Sequence, residues 1–175
     1  LQRTIGGKFD ITEVYGYDAK TGDVYYQAAA LAPTDRQVYV NHKNGKTERL
    51  TDAEGWNSAL FSGDYQYFIN TWSDYNTPYV YTTRTRAGKV ISTLQDNSQL
   101  RQTIKEYGFC KREAFSFTTS EGVTLNGWML RPLDFDASKR YPVIMHQYSG
   151  PGSQQVKNAW NAGSMGQGGA YDSYL

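Results

Sequence analysis

Hydrolysis by an activated serine needs a nucleophile on a sharp strand-to-helix turn, followed by an acid and a histidine base. The 175-residue sequence offers few residues for those places. Its nearest approach to a Gly-x-Ser-x-Gly elbow is Ala162-Gly163-Ser164-Met165-Gly166. The context argues against it: residues 158–161 do not read as a strand, Gln167-Gly168-Gly169 is a poor helix start, and no histidine follows. Ser164 is read as a loop serine. Of the two histidines, His42 stands at the entrance to the turn Lys43-Asn44-Gly45-Lys46, where an exposed side chain is expected. His146 sits in an apolar stretch as a core or rim histidine rather than a base. A single cysteine, Cys110, rules out an internal disulfide and a cysteine-based zinc site, and is expected to pack as a small apolar residue. With no His-Glu-x-x-His, no paired histidines and no calcium-loop pattern, neither a metal nor another cofactor is expected.

The stretch YPVIMHQYSGPGS, residues 141–153, is the stronger candidate. A near-continuous apolar run predicts a strand buried on both faces of an α/β sheet, and it breaks at Tyr148 into Ser-Gly-Pro-Gly-Ser. In an α/β-hydrolase sheet the loop leaving the third strand lies over the nucleophile and supplies part of the oxyanion hole. Gly150 and Gly152 permit close backbone approach, and Pro151 stiffens the loop between them. Tyr148, at the carboxyl end of the expected strand, would aim its hydroxyl at developing negative charge. The plainer reading of the same residue is a packing or surface hydrogen-bonding tyrosine.

Lysine and arginine (18) nearly balance aspartate and glutamate (17), so the formal charge of +1 gives no electrostatic reason to expect nucleic acid or an anionic membrane as partner. No apolar run approaches the roughly 18–20 residues that span a bilayer, and LQRTIGGKFD does not read as a signal segment. Fifteen tyrosines, seven phenylalanines and four tryptophans favour pleated surfaces over helix bundles.

The elements that must position Tyr148 read as follows. Residues 11–94 predict eight short strands, ITEVYGYD, VYYQAAAL, RQVYVNH, TERLT, NSALFS, YQYFINTW, YVYTTRT and KVISTL, with Asn44-Gly45 a strong hairpin signal. The second four repeat the first at a spacing of about 41 to 44 residues, the mark of four-stranded propeller blades that need neighbours on both faces. An open sheet or sandwich with accidental periodicity is the structural alternative. DNSQLRQTIKEYGF predicts a short helix with an Asp or Asn cap and a closing Gly108. KREAFSFTTS, VTLNGWMLRPLDF and YPVIMHQY predict three further strands, and a last helix is expected to begin near Ala170 or Asp172.

With these residues in view, the linker DNSQL, RPLDFDASKRYPVI and YSGPGSQ resemble the prolyl oligopeptidase family, in its dipeptidyl peptidase IV branch, and QYSGPGSQQV resembles bacterial members. The likeness covers nearly the whole chain. It implies a mixed fold: residues 1–95 as the last two blades of a β-propeller, 96–110 as a helical linker, and 111–175 as the start of an α/β-hydrolase domain. It implies a serine exopeptidase acting on peptides with Pro or Ala second from the N-terminus, with Tyr148 matching the family's oxyanion tyrosine. The family's serine, aspartate, histidine and amine-gripping glutamate pair match no segment here, so the chain is expected to be an inactive piece of that enzyme. An extracytoplasmic location, with a homodimer among the expected assemblies, is also implied. Two rivals remain: a non-catalytic module holding a peptide or glycan on aromatic loops such as WSDYNTPY, and a family member with oligopeptidase or acylaminoacyl specificity.

Overall fold

The computed structural model describes residues 5–148, 150 and 152–160. The alternating patterns at the start of the chain form eight strands in two antiparallel four-stranded meanders. The first contains β1 (Ile11–Asp18), β2 (Asp23–Ala28), β3 (Gln37–Asn41) and β4 (Thr47–Arg49). The second contains β5 (Trp56–Phe61), β6 (Tyr67–Ser73), β7 (Val80–Thr85) and β8 (Val90–Gln95). Each strand pairs with its sequence neighbour, because short turns leave no other partner in reach. The β3–β4 turn shows how: Gly45 takes a positive φ of 83°, its N–H is donated to the His42 carbonyl, and Asn44 Oδ1 accepts from the Lys46 N–H. That geometry explains Asn-Gly at this position.

The central strands of the first sheet, β2 and β3, are covered on both faces. Tyr25, Val38 and Val40 face the second sheet, where Phe68, Phe61, Ala59 and Tyr65 meet them together with Leu50. Phe61 lies at the centre of this cluster, 4.6 Å from the Tyr25 ring centroid and 4.9 Å from that of Phe68. On the opposite face Tyr26, Ala28 and Tyr39 pack under Ile5 and Phe9. Covering both faces makes β3 buried along its whole length. Among the described residues the second sheet is covered on one face, and Leu60, Tyr67, Ile91 and Leu94 stand exposed.

A buried polar seam runs through the same contact. Asn57, fully buried, donates from Nδ2 to the carbonyls of Arg36 and Ala53 and to Gln37 Oε1, and its Oδ1 accepts from Asn70. Gln27 Nε2 donates to the Asn57 carbonyl at 2.6 Å, and Thr51 Oγ1 to Gln37 Oε1 at 2.7 Å. Burial of these amides is tolerable because most of their polar atoms pair with one another or with backbone carbonyls; Asn70 Oδ1 is the exception, buried without a partner among the described residues.

Helix α1 (Ser98–Glu106) follows, with an N-terminus that differs from the simple cap expected. Asn97 adopts the left-handed conformation and donates from Nδ2 to the Tyr79 carbonyl, while Asp96 Oδ1 accepts the Ser98 N–H. Gly108, at φ 66°, closes the helix as expected, its N–H donated to the Lys105 carbonyl. Strands β9 (Glu113–Thr118) and β10 (Thr124–Met129) form a hairpin. Asn76 clasps this hairpin at its root, accepting the Arg112 N–H at 2.8 Å and donating to the Arg112 carbonyl at 3.0 Å.

The third strand expected of this region does not form. Residues 142–148 carry no regular structure, and Val143, Ile144 and Met145 stand 79–87% exposed. A strand buried on both faces of a parallel sheet needs hydrogen-bonded neighbours, and among the described residues none lies beside this segment. Among the described residues no helix is long and apolar enough to cross a membrane. The helix expected near Ala170 lies outside them.

Candidate functional site

Tyr148 ends the irregular run and is 62% exposed. Its ring lies across Gly150: a Cβ built there would fall 2.4 Å from Tyr148 Cε1 and 2.8 Å from Cζ and Oη. Such separations are far below the 3.5–4.0 Å of ordinary carbon contact. Only a residue without a side chain lets the ring rest in this position. The chain then turns, with the Ser153 N–H donated to the Gly150 carbonyl at 3.2 Å and Gly152 at φ 77°. The phenol thus stands open beside Gly150.

Beyond the turn, residues 154–160 dock on the ends of both sheets. Arg36 is buried against them. Its Nη1 donates to the carbonyls of Pro33 and Asp35, its Nη2 donates to Gln154 Oε1 at 2.6 Å, and its guanidinium lies 4.5 Å from the Trp56 ring centroid. Burial pulls the guanidinium pKa down, while the Asp10 and Asp35 carboxylates oppose that pull. Gln154 Nε2 in turn donates to the carbonyls of Pro33 and Val156. Asn158 donates its backbone N–H to the Thr34 carbonyl at 2.9 Å and its Nδ2 to Asp35 Oδ1, while its Oδ1 accepts the Tyr75 N–H. The Trp160 N–H is donated to Ser73 Oγ at 3.1 Å. Sheet ends present unpaired backbone groups, and this segment satisfies them.

Beside the docked segment lies a cleft of about 440 Å³, lined by Thr34, Tyr75, Phe115, Ser116, Asn126 and Asn158. Tyr148 is not among its lining residues. The loop WSDYNTPY is engaged within the chain. The Trp72 indole N–H is donated to the Glu54 carbonyl, Asp74 Oδ1 accepts the Asn76 and Thr77 N–H groups, and the Tyr79 hydroxyl is donated to the Trp160 carbonyl.

The histidines differ from expectation in detail. His42 is not a freely exposed turn residue. It is half-buried, with Nδ1 3.1 Å from Asp23 Oδ1 and Nε2 3.7 Å from Glu48 Oε2. Asp23 also receives Arg86 Nη2 at 2.9 Å across the contact between the two sheets. Burial pushes the Asp23 carboxyl up, but the hydrogen bonds from His42 and Thr21 and the charge of His42 outweigh it and leave its pKa below the usual carboxylate value. Asp23 lies opposite His42 at the end of the β2–β3 pairing, whereas Arg86 reaches Asp23 only after the two meanders stack. His146 is exposed in the irregular run. Cys110 is a half-buried free thiol. Ser164 lies outside the described residues. Among the described residues no group of three or more His, Cys, Asp or Glu could hold a metal ion.

Comparison with known proteins gives a consistent picture. Residues 2–79 match the family described as the dipeptidyl peptidase IV N-terminal region. The chain is 31% identical over 160 residues to a probable dipeptidyl peptidase 4 of Aspergillus flavus, covering 89% of this chain and 21% of that protein. It is 32% identical over 161 residues to dipeptidyl peptidase 4 of Trichophyton equinum, with the same coverage of 89% and 21%. Among solved structures, dipeptidyl peptidase 4 of Porphyromonas gingivalis superposes with a TM-score of 0.86 at 42% identity, over 91% of this chain and 23% of that one. A putative dipeptidyl aminopeptidase IV of Bacteroides ovatus shares the fold, with a TM-score of 0.82 at 22% identity over 99% of this chain and 24% of that one. The chain spans about a fifth of the length of the curated relatives it matches.

Proposed function

We propose, for a chain that belongs to the dipeptidyl peptidase IV branch of the prolyl oligopeptidase family, that its residues form one part of a longer serine exopeptidase. In this reading the two meanders are blades of a β-propeller, and residues 111–175 open an α/β-hydrolase domain whose remaining strands pair with residues 142–148. The whole protein releases X-Pro or X-Ala dipeptides from peptide N-termini. These 175 residues alone are inactive, because nucleophile, acid and base are supplied by other sequence.

Within that enzyme Tyr148 is the oxyanion donor. Attack of the serine on the scissile carbonyl places negative charge on its oxygen, and the phenol O–H donates a hydrogen bond to that charge. A preorganised donor of this kind contributes about 2.7–4 kcal/mol in the transition state. The observation that carries the reading is the seating of Tyr148: a solvent-facing phenol held over Gly150, on a loop whose far end is bonded to both sheets.

Tyr148→Phe in the full-length protein tests it. Release of chromophore from a Gly-Pro anilide should lose kcat by about 10²- to 10³-fold with little change in KM, and an unchanged kcat removes Tyr148 from the mechanism. A peptide-binding module without chemistry draws no support from WSDYNTPY, whose polar groups serve the chain itself. Exopeptidase and acylaminoacyl specificity separate on one comparison, hydrolysis of a free against an acetylated N-terminus, because an exopeptidase needs anions to hold the substrate ammonium.

A further inference from the structure

We propose that the corner at Asp35 and Arg36 is the positioning clamp of the Tyr148 loop, so that the first sheet controls the oxyanion donor through Gln154 and Asn158. The inference rests on the reading of Tyr148 as that donor.

The corner is fixed before the loop reaches it. The Arg36 N–H is donated to the Gly55 carbonyl, the Asn57 N–H to the Arg36 carbonyl, and Gly55 donates its own N–H to Asp35 Oδ2 at 2.9 Å. Arg36 and Trp56 form a parallel bridge, so the corner belongs to both sheets at once. Into this rigid frame Arg36 presents two nitrogens, one spent on the carbonyls of Pro33 and Asp35 and the other on Gln154. Asp35 presents two oxygens, one to Gly55 and the other to Asn158 and Thr34. Gln154 follows the turn that seats the Tyr148 ring over Gly150. The chain is therefore pinned at Gln154, six residues after Tyr148. Arg36 and Gln154 touch no reacting atom and act only by holding the phenol in place.

A double-mutant cycle in the full-length protein tests this, with Gln154→Ala as the first variant. Gln154→Ala removes the acceptor for Arg36 Nη2, while Nη1 keeps its two carbonyl acceptors and the guanidinium its place on Trp56. Arg36→Lys is the second variant, keeping the charge and losing the planar fork. Each should lower kcat for a Gly-Pro anilide on the order of 10- to 100-fold, the scale of a 1 Å misplacement, with KM within about twofold. In the Tyr148→Phe background each should lower kcat no further, because there is no phenol left to misplace. Losses that multiply with that of Tyr148→Phe would overturn the clamp while leaving Tyr148 as donor. So would wild-type kcat in Gln154→Ala, or a lowered melting temperature with kcat and KM changed together. Wild-type kcat in Tyr148→Phe itself brings down the function reading and the clamp with it.

Discussion

Gly150→Ala isolates the seating of the phenol from everything else. The added methyl would lie 2.4 Å from Tyr148 Cε1, so the ring must retreat by about 1 Å or more to reach ordinary contact. Gly150 is not among the glycines with positive φ, so its backbone accepts alanine without strain. The ring is 62% exposed and free to swing outward, so folding should not suffer. Relief of chain entropy in the unfolded state could even raise stability by about 0.4–1 kcal/mol. Activity should move the other way. A displacement near 1 Å costs on the order of 10²-fold in kcat, equivalent to about 2.7 kcal/mol, the lower end of what a whole oxyanion donor supplies. The assay is steady-state hydrolysis of a Gly-Pro anilide by the full-length protein, paired with a thermal melt. Reduced kcat, unchanged KM and an unchanged or slightly higher melting temperature are expected. A wild-type kcat, or an equal loss when alanine is added to Tyr148→Phe, would refute the seating.

Other consequences concern the frame that holds the loop. Phe68, 1% exposed among Tyr25, Val38, Val40 and Leu50, should destabilise the protein by about 3–5 kcal/mol when changed to Ala, read as a lower urea midpoint for the propeller transition. Asn57→Ala strips the buried seam of its donors to Arg36, Gln37 and Ala53 and should cost about 1–3 kcal/mol by the same measurement, with a loss below 0.5 kcal/mol counting against the seam. Asp23 has a folded pKa below its unfolded value of about 3.9. Its contribution to stability is therefore complete above that value and lost as pH falls through the lower folded one. Thermal melts from pH 6 to pH 2 should fall less steeply in Asp23→Asn than in the wild type over that acidic window.

The sequence by itself determined the local elements. Period-two alternation with Thr-Gly, Asn-Gly, Ser-Gly and Ala-Gly turns located all eight strands, since such turns pair each strand with its neighbour. Gly108 likewise marked the end of α1 because a left-handed residue was needed there. Tyr148 could be singled out because a phenol before Gly-Pro-Gly is an unusual way to end an apolar run. Only the tertiary structure decided what lies between elements. The Asn57 seam, the reach of Arg86 to Asp23, and the corner that binds Gln154 join residues up to 121 positions apart, with no periodicity to announce them. The same reason explains the strand that residues 142–148 do not form: apolar composition sets a segment's capacity to pair, but a partner edge must exist in space before the pairing is made.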